Sequence, residues 1–159
     1  MQQTAQHLLD TLDKALPLLK KISDETASAK PKHGKWSYKE IIGHLVDSAA
    51  NNHQKFVRTI QEDGLKFPPY EQDEWVRIQQ YNEADWHQLL QLWDVYNRHL
   101  AHIIGRIPDA ALPNQIAIGK SEPFSLDFIV RDYPEHLKHH LRAILPDADF
   151  LQNNFKMVY

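Results

Sequence analysis

Residues 35–63, KWSYKEIIGHLVDSAANNHQKFVRTIQED, carry the clearest helical pattern in the chain. Ser37 and Glu40 form an S-x-x-E capping box, and Trp36 stands just outside it in the position of a hydrophobic staple. The core-facing stripe follows the period of one helix face: Ile42, Leu45, Val46, Ala49, His53, Phe56 and Ile60. The stretch therefore predicts a helix that starts at Ser37, with Gly64 as its stop.

The same period recurs in three further segments, at residues 5–22, 86–104 and 126–144. Pro17 lies inside the first segment, where we expect a kink. Ser125 caps the last segment, which should run to Leu145, and at Pro134 either this helix kinks or a new turn begins. Four amphipathic helices predict an all-α fold, a four-helix bundle. Because no repeat or linker divides the sequence, we expect residues 1–159 to form a single helical bundle domain.

The segments between these stripes are expected to be connections. DETASAKPKHGK (24–35) is polar, and KFPPYEQDEW (66–75) contains two consecutive prolines that disfavour helix. A short helix is expected over residues 74–80. QIAIG (115–119) is expected to be briefly extended, and the tail from residue 146 onward to hold one short helix.

The composition excludes several classes of function. The chain has no cysteine, which excludes a disulfide scaffold, a cysteine nucleophile and thiolate metal sites. Its formal net charge of -3 does not indicate a nucleic-acid partner. No apolar run reaches the roughly 18–20 residues of a membrane span, and the N-terminus resembles an amphipathic helix rather than a signal peptide, so we expect a cytoplasmic protein. The chain contains ten histidines, an unusually high number for its length.

Two of these histidines have the spacing of metal ligands. His136 and His140, in DYPEHLKHHLRAI (132–144), are about 40° apart around a helix axis and one turn along it. Two imidazoles so placed can converge on one metal ion, whereas His139 points elsewhere. Tyr133 lies near the same azimuth, so this face is expected to point inward. Surface H-x-x-x-H pairs are nevertheless common, and the pair alone does not establish a site.

A catalytic metal site typically needs a third protein ligand. His44 is a candidate, and other polar residues share its helix face: Asp47, Ser48, Asn51 and Lys55. This polar stripe lies roughly opposite Ile42, so a solvated face is the simpler interpretation. Apolar residues flank the stripe on one side, however, and its edge could therefore meet another helix.

Four motifs together resemble the DinB superfamily, most closely its YfiT-like branch: W-S-x-x-E (36–40), H-L-x-D-S-x-x-N (44–51), P-P-Y with a following Trp (68–75) and H-x-x-H-H (136–140). They occur in the family's order, and the likeness runs from about Trp36 to Ile144. The resemblance implies a four-helix bundle with one divalent metal on His44, His136 and His140. The choice of His44 rests mainly on this resemblance.

The family includes S-transferases that use bacillithiol, mycothiol or glutathione. The resemblance therefore implies a metal-dependent enzyme that joins a low-molecular-weight thiol to an electrophilic small molecule, with zinc or nickel favoured over iron or manganese. It also implies a homodimer. By their match to the family's motifs, Asp47, Ser48 and Asn51 are assigned to the catalytic site, and Tyr70 and Trp75 to cofactor binding. Tyr133 is also assigned to cofactor binding, although it stands near a place where the branch often has Trp.

Two alternatives stay open. One is a metal-dependent hydrolase that uses a bound water, with Asp47 as the best candidate general base. The other is a non-catalytic, ligand-binding bundle in which the histidines are structural. Of the remaining histidines, one is interpreted as a core residue and four as surface or capping residues: His53, and His7, His33, His87 and His99.

Overall fold

Within residues 1–32 and 34–152, which the computed structural model describes, four long helices form a bundle and short elements fill the connections. The helices are α1 (Gln2–Leu19), α2 (Asp24–Ser28), α3 (Tyr38–Gln61), α4 (Gln72–Gln79), α5 (Trp86–Ile104) and α6 (Leu126–Leu141). The strands are β1 (Leu65–Phe67), β2 (Gln115–Ile118) and β3 (Phe124–Ser125). The predicted all-α four-helix bundle is confirmed. No helix of the described residues is long and apolar enough to cross a membrane.

The four long helices pack in a ring in the order α1, α5, α3 and α6, with α6 closing against α1. Each contributes its apolar stripe to one core. Leu8, Leu45, Trp93 and Leu137, one from each helix, are at most 1% exposed. Burial of these stripes is the dominant favourable contribution to folding, because it removes apolar surface from water.

The capping box at the start of α3 is formed as predicted. The Ser37 hydroxyl accepts a hydrogen bond from the Glu40 N–H, and the Glu40 carboxylate accepts one from the Ser37 N–H. The helix ends at Gln61, before Gly64. Gly64 has a φ of 76°, which suits glycine, and its N–H donates to the Gln115 carbonyl, where the chain turns into β1.

A small three-stranded sheet contacts α3 and α6. β1 runs parallel to β2, with Leu65 opposite Ile116, and β2 runs antiparallel to β3. The predicted extension at QIAIG is therefore confirmed, whereas β1 and β3 were not predicted. The sheet leads directly into α6, because Ser125 ends β3 and caps the helix by accepting a hydrogen bond from Phe128 N–H.

Several predicted boundaries were wrong. The polar connection after α1 contains α2, which Ser23 caps by accepting a hydrogen bond from Thr26 N–H. α1 ends at Leu19 rather than Ile22, and α6 ends at Leu141 rather than Leu145.

Pro17 and Pro134 both lie inside helices that continue past them, so no new helix begins at Pro134. α4 begins two residues before the predicted short helix. In the tail, a single 3-10 turn covers Asp149–Leu151, and residues 153–159 of that prediction lie outside the described residues.

Candidate metal centre

Three histidines meet where α3 packs against α6. One ring nitrogen from each of His44, His136 and His140 can be chosen so that the three lie within 4.8 Å of one another. The Nε2 atoms of His136 and His140 are 3.1 Å apart. The His44 ring centre is 4.5 Å from that of His140 and 5.5 Å from that of His136. The structure thus brings together the three residues that the sequence and the resemblance singled out.

His44 is only 1% exposed, so the simpler interpretation of its stripe as a solvated face was wrong. Every residue from Lys39 to Ala49 is buried. The first half of α3 is enclosed because α2, α4, α5, α6 and the 3-10 turn Tyr81–Glu83 all contact the helix. Such enclosure turns a polar stripe into the wall of an internal site.

Neither ring nitrogen of His44 has a hydrogen-bond partner within the described part of the chain. A buried polar atom without a partner costs about 1–3 kcal/mol. A cation at the meeting point of the three rings would satisfy one of these nitrogens. The orphaned imidazole is therefore the observation that best fits a metal at this position.

All three imidazoles are held in the neutral form that binds metal. Burial lowers the pKa of His44 to about 4. Burial, followed by the charges of His44 and His139, lowers the pKa of His140 to about 3. Burial and the neighbouring His140 and His44 hold the pKa of His136 well below its ordinary value. At neutral pH the rings therefore carry no charge that would repel a cation.

The spacing of the nitrogens also fits a metal ion. Two nitrogens that bind one zinc at about 2.0–2.1 Å lie roughly 3.3 Å apart in a tetrahedral site. The 3.1 Å between His136 Nε2 and His140 Nε2 is close to this value. The Ser48 hydroxyl lies 3.4 Å from His136 Nδ1, where it can orient the ring, as groups behind metal-bound histidines commonly do. Three protein ligands leave a coordination position open, which is typical of catalytic sites.

The cluster opens into two cavities. The larger, of about 450 Å³, contains all three histidines in its lining. The smaller, of about 350 Å³, is lined by His140 and Trp36 but not by His44 or His136. The Trp36 ring centre is 5.0 Å from that of His44 and 6.3 Å from that of His140, so this side chain forms part of the wall of the cluster.

Three further residues from the sequence assignment line the larger cavity: Ser48, Tyr70 and Tyr133. Tyr133 is 2% exposed and donates a hydrogen bond to Asn97 Oδ1 at 2.6 Å. Burial, with a smaller contribution from Asp47, raises the pKa of Tyr70 to about 12, so its hydroxyl remains a hydrogen-bond donor at neutral pH.

The other three assigned residues line neither of these two cavities. Asp47 Oδ1 accepts hydrogen bonds from the Tyr81 hydroxyl at 2.7 Å and from Gln79 Nε2 at 2.8 Å. Burial raises the pKa of the Asp47 carboxyl, and these two hydrogen bonds oppose the rise. Asn51 donates to the backbone carbonyl of Asp47, and Trp75 is 38% exposed with its ring against Tyr70.

Residues that sequence reasoning did not assign to the site also line the larger cavity: Asn52, Lys55, Gln72, Asp132 and His139. Asp132 stands one helical turn before His136, and this spacing was available in the sequence. His139, which was expected to point away from the pair, lies with its ring centre 5.3 Å from that of His140.

The remaining histidines divide between surface and partly buried positions. His87 and His99 are exposed, as predicted. His7 is partly buried and contacts Glu135 at 3.1 Å. His53, predicted to be a core residue, is only half-buried and contacts the Tyr96 hydroxyl, and His33 lies outside the described residues.

Comparisons with known proteins agree with this architecture. The family's sequence model, that of the DinB superfamily, matches residues 7–144 of this chain. Two proteins of Oceanobacillus iheyensis, each named "Putative metal-dependent hydrolase", are 23% and 20% identical to this chain over 123 residues. Each match spans 77% of this chain, and 71% and 70% of the respective relative.

One solved structure has the same fold. YfiT from Bacillus subtilis, described as "a probable metal-dependent hydrolase with an unusual four-helix bundle topology", superposes with a TM-score of 0.82 at 19% sequence identity. The superposition covers 91% of this chain and 83% of that chain.

Proposed function

Since this chain belongs to the DinB superfamily, we propose that it is a metal-dependent enzyme that joins a low-molecular-weight thiol to an electrophilic small molecule. The three-histidine cluster supports a divalent metal ion, as do the names of the relatives. The observation that favours transfer is the pair of cavities that meet at His140.

The two cavities match the needs of a reaction with two organic substrates. The larger has about 450 Å³ and the smaller about 350 Å³, and each can hold a small molecule. Because His140 lines both, molecules bound in the two cavities would meet at the cluster. Hydrolysis would need only one organic substrate and a water, so it gives the second cavity no role.

In this proposal the side chains of the protein bind the metal ion and orient the groups around it. His44, His136 and His140 would hold the metal, and Ser48 would keep the His136 ring in place. A divalent cation held there supplies Lewis acidity, which lowers the pKa of the thiol that it binds. The sulfur must come with the co-substrate because the chain has no cysteine. The protonated Tyr70 hydroxyl can donate a hydrogen bond to a molecule in the larger cavity.

The test is a conjugation assay with zinc-loaded and nickel-loaded protein. Bacillithiol, mycothiol and glutathione are each offered with monochlorobimane, which forms a carbon–sulfur bond as chloride leaves. We expect metal-dependent conjugation with one of the three thiols, lost in His140→Ala and retained in the exposed-residue control His102→Ala. A rate no higher than the uncatalysed one with all three thiols would overturn the proposal.

A hydrolase is the second candidate, favoured by the position of Asp132 as well as by the relatives' names. Asp132 lines the same cavity as the cluster, whereas Asp47 is directed at Tyr81 and Gln79. The candidate general base is therefore Asp132. This alternative predicts thiol-independent turnover of a p-nitrophenyl ester that falls at least about tenfold in Asp132→Asn.

A further inference from the structure

Lys55 brings a positive charge to the larger cavity, and the reaction described above gives it no role. It is half-buried on α3, and within residues 1–32 and 34–152 it forms no hydrogen bond or salt bridge. Its Nζ lies 5.6 Å from the centre of the Phe67 ring. Lysine is seldom buried without an ion pair, and the contact with the Phe67 ring does not supply one, so the place of this half-buried ammonium group needs an explanation.

Two lysines that are fully buried, Lys39 and Lys138, show the usual solution. Lys39 Nζ lies 2.9 Å from an oxygen of Asp24, and Lys138 Nζ lies 3.3 Å from an oxygen of Glu135. Lys55 instead faces a cavity that is large enough to admit a small molecule. An anion carried by that molecule would supply the direct ion pair that Lys39 and Lys138 have and Lys55 lacks.

We propose that Lys55 binds a carboxylate group of the substrate, so that the larger cavity selects an acidic small molecule. The placement of the substrate's reactive group at the three-histidine cluster rests on the proposed function. Ser48, which contacts His136, and Lys55 are seven residues apart on α3, about 10 Å along the helix axis. Helical side chains lean toward the N-terminus, which is the direction of the cluster from Lys55, and Lys55 lines the same cavity as the three histidines.

The charges in the cavity favour a single carboxylate over a phosphate. Lys55 is the only lysine or arginine among the described residues that line it. Burial lowers the pKa of Lys55, and the negative charge of Asp132, which lines the same cavity, opposes that change. The same charge would repel a second negative charge on a ligand. A monoanion therefore suits the cavity better than a dianion.

The direct test is calorimetric titration of the zinc-loaded protein with 6-mercaptohexanoate and with its uncharged methyl ester. We expect the acid to bind at least tenfold more tightly than the ester. Lys55→Met should abolish this preference, and Lys55→Arg should retain most of it. The matched control is Lys66→Met, because Lys66 is exposed on β1, next to Phe67. Equal preference in wild type and Lys55→Met, or none in wild type, would overturn the inference.

A metal-free arm separates this inference from the proposed function. Hexanoate and methyl hexanoate are titrated into chelator-treated protein, where the preference for the acid should persist because Lys55 alone carries it. Acid preference without any conjugation activity would overturn the proposed function and support the acidic-substrate inference. Conjugation activity without a preference for the acid would overturn the acidic-substrate inference and leave the proposed function standing.

Two controls test the identity of the bound anion and the folding of each variant. Hexyl phosphate is titrated alongside hexanoate, and tighter binding of the phosphate would show that the carboxylate assignment is wrong. Circular dichroism and thermal melting check that each variant is folded. If Lys55→Met does not fold, Lys55→Gln replaces it with the same expected loss of preference.

Discussion

The Nε2 atoms of His136 and His140 face each other at 3.1 Å across one turn of α6. Two ring nitrogens this close can share either one proton or one cation. The buried His44 ring approaches the same pair from α3, and neither of its nitrogens has a hydrogen-bond partner in the described residues. The structure therefore favours the cation over the proton, since only the cation would also satisfy His44.

The first prediction concerns metal content. Protein purified without a tag should hold one divalent ion per chain by plasma mass spectrometry after incubation with zinc or nickel. His136→Ala should lose it, because two remaining imidazoles are too few ligands for a stable site. In wild type, metal at 100 times its dissociation constant should raise the free energy of unfolding by about 2.7 kcal/mol.

The control for this experiment is His102→Ala, since His102 is exposed on α5 and is not part of the cluster. It should bind metal as wild type does. If wild type holds no stoichiometric metal, the three-histidine site is wrong and a ligand-binding bundle becomes the better interpretation.

The second prediction is a loss of stability of the metal-free protein in mild acid. In the folded state the pKa is about 4 for His44 and about 3 for His140. An unfolded chain has histidines near the ordinary value of about 6.5. As the pH falls from 6.5 toward 4, the unfolded state therefore takes up protons first, and the free energy of unfolding decreases.

Urea denaturation of chelator-treated protein between pH 7.5 and pH 5 measures this effect. The slope contributed by each histidine cannot exceed about 1.4 kcal/mol per pH unit. His44→Leu should flatten the dependence, whereas His102→Leu should leave it unchanged. Identical slopes in wild type and His44→Leu would contradict the burial of a neutral His44.

Local signals in the sequence were enough to predict part of this site. The capping box lies within four residues, and the His136–His140 spacing is one helical turn, so both depend on short-range geometry. The burial of His44 depends on which elements surround α3. The hydrophobic pattern of α3 alone does not contain that information, because it describes one helix without its neighbours.

The same limit explains why β1 was not predicted and why the orientation of Asp47 could not be. β1 has three residues, too few to show alternation, and its partner Ile116 lies far along the chain from Leu65. Asp47 and Ser48 are neighbours in one polar stripe. Ser48 faces α6 and the cavity, whereas Asp47 faces Tyr81 and Gln79. Only the packing of α4 and α6 on either side of α3 separates these two roles.

The third prediction concerns the contact between Gly43 and Tyr81. A Cβ atom added at Gly43 would overlap the Tyr81 ring, which the hydrogen bond to Asp47 holds in place. Gly43→Ala should therefore lower the free energy of unfolding by roughly 1–3 kcal/mol, the usual cost of overpacking. Chemical denaturation of the metal-free protein measures this change.

Gly105→Ala is the matched control for this variant. Gly105 has a φ of -64° at the end of α5, and an added Cβ would meet Gln2 Oε1 at 3.3 Å, the end of a flexible side chain. It should change the stability by less than about 1 kcal/mol. Equal stability of Gly43→Ala and wild type would show that Tyr81 does not pack against the α3 backbone as described.

The fourth prediction uses Trp36 as a reporter of the metal. Its ring centre is 5.0 Å from that of His44, whereas Trp86 and Trp93 are fully buried in the core. Nickel quenches indole fluorescence at short range, so titration with nickel should quench the emission of wild type at one equivalent per chain. Trp36→Phe should lose most of this quenching while calorimetry shows that it still binds nickel.

The exposed Trp75 supplies the control, since Trp75→Phe should keep the quenching. If Trp36→Phe is quenched as strongly as wild type, the ion does not bind beside Trp36 and the assignment of the cluster is wrong.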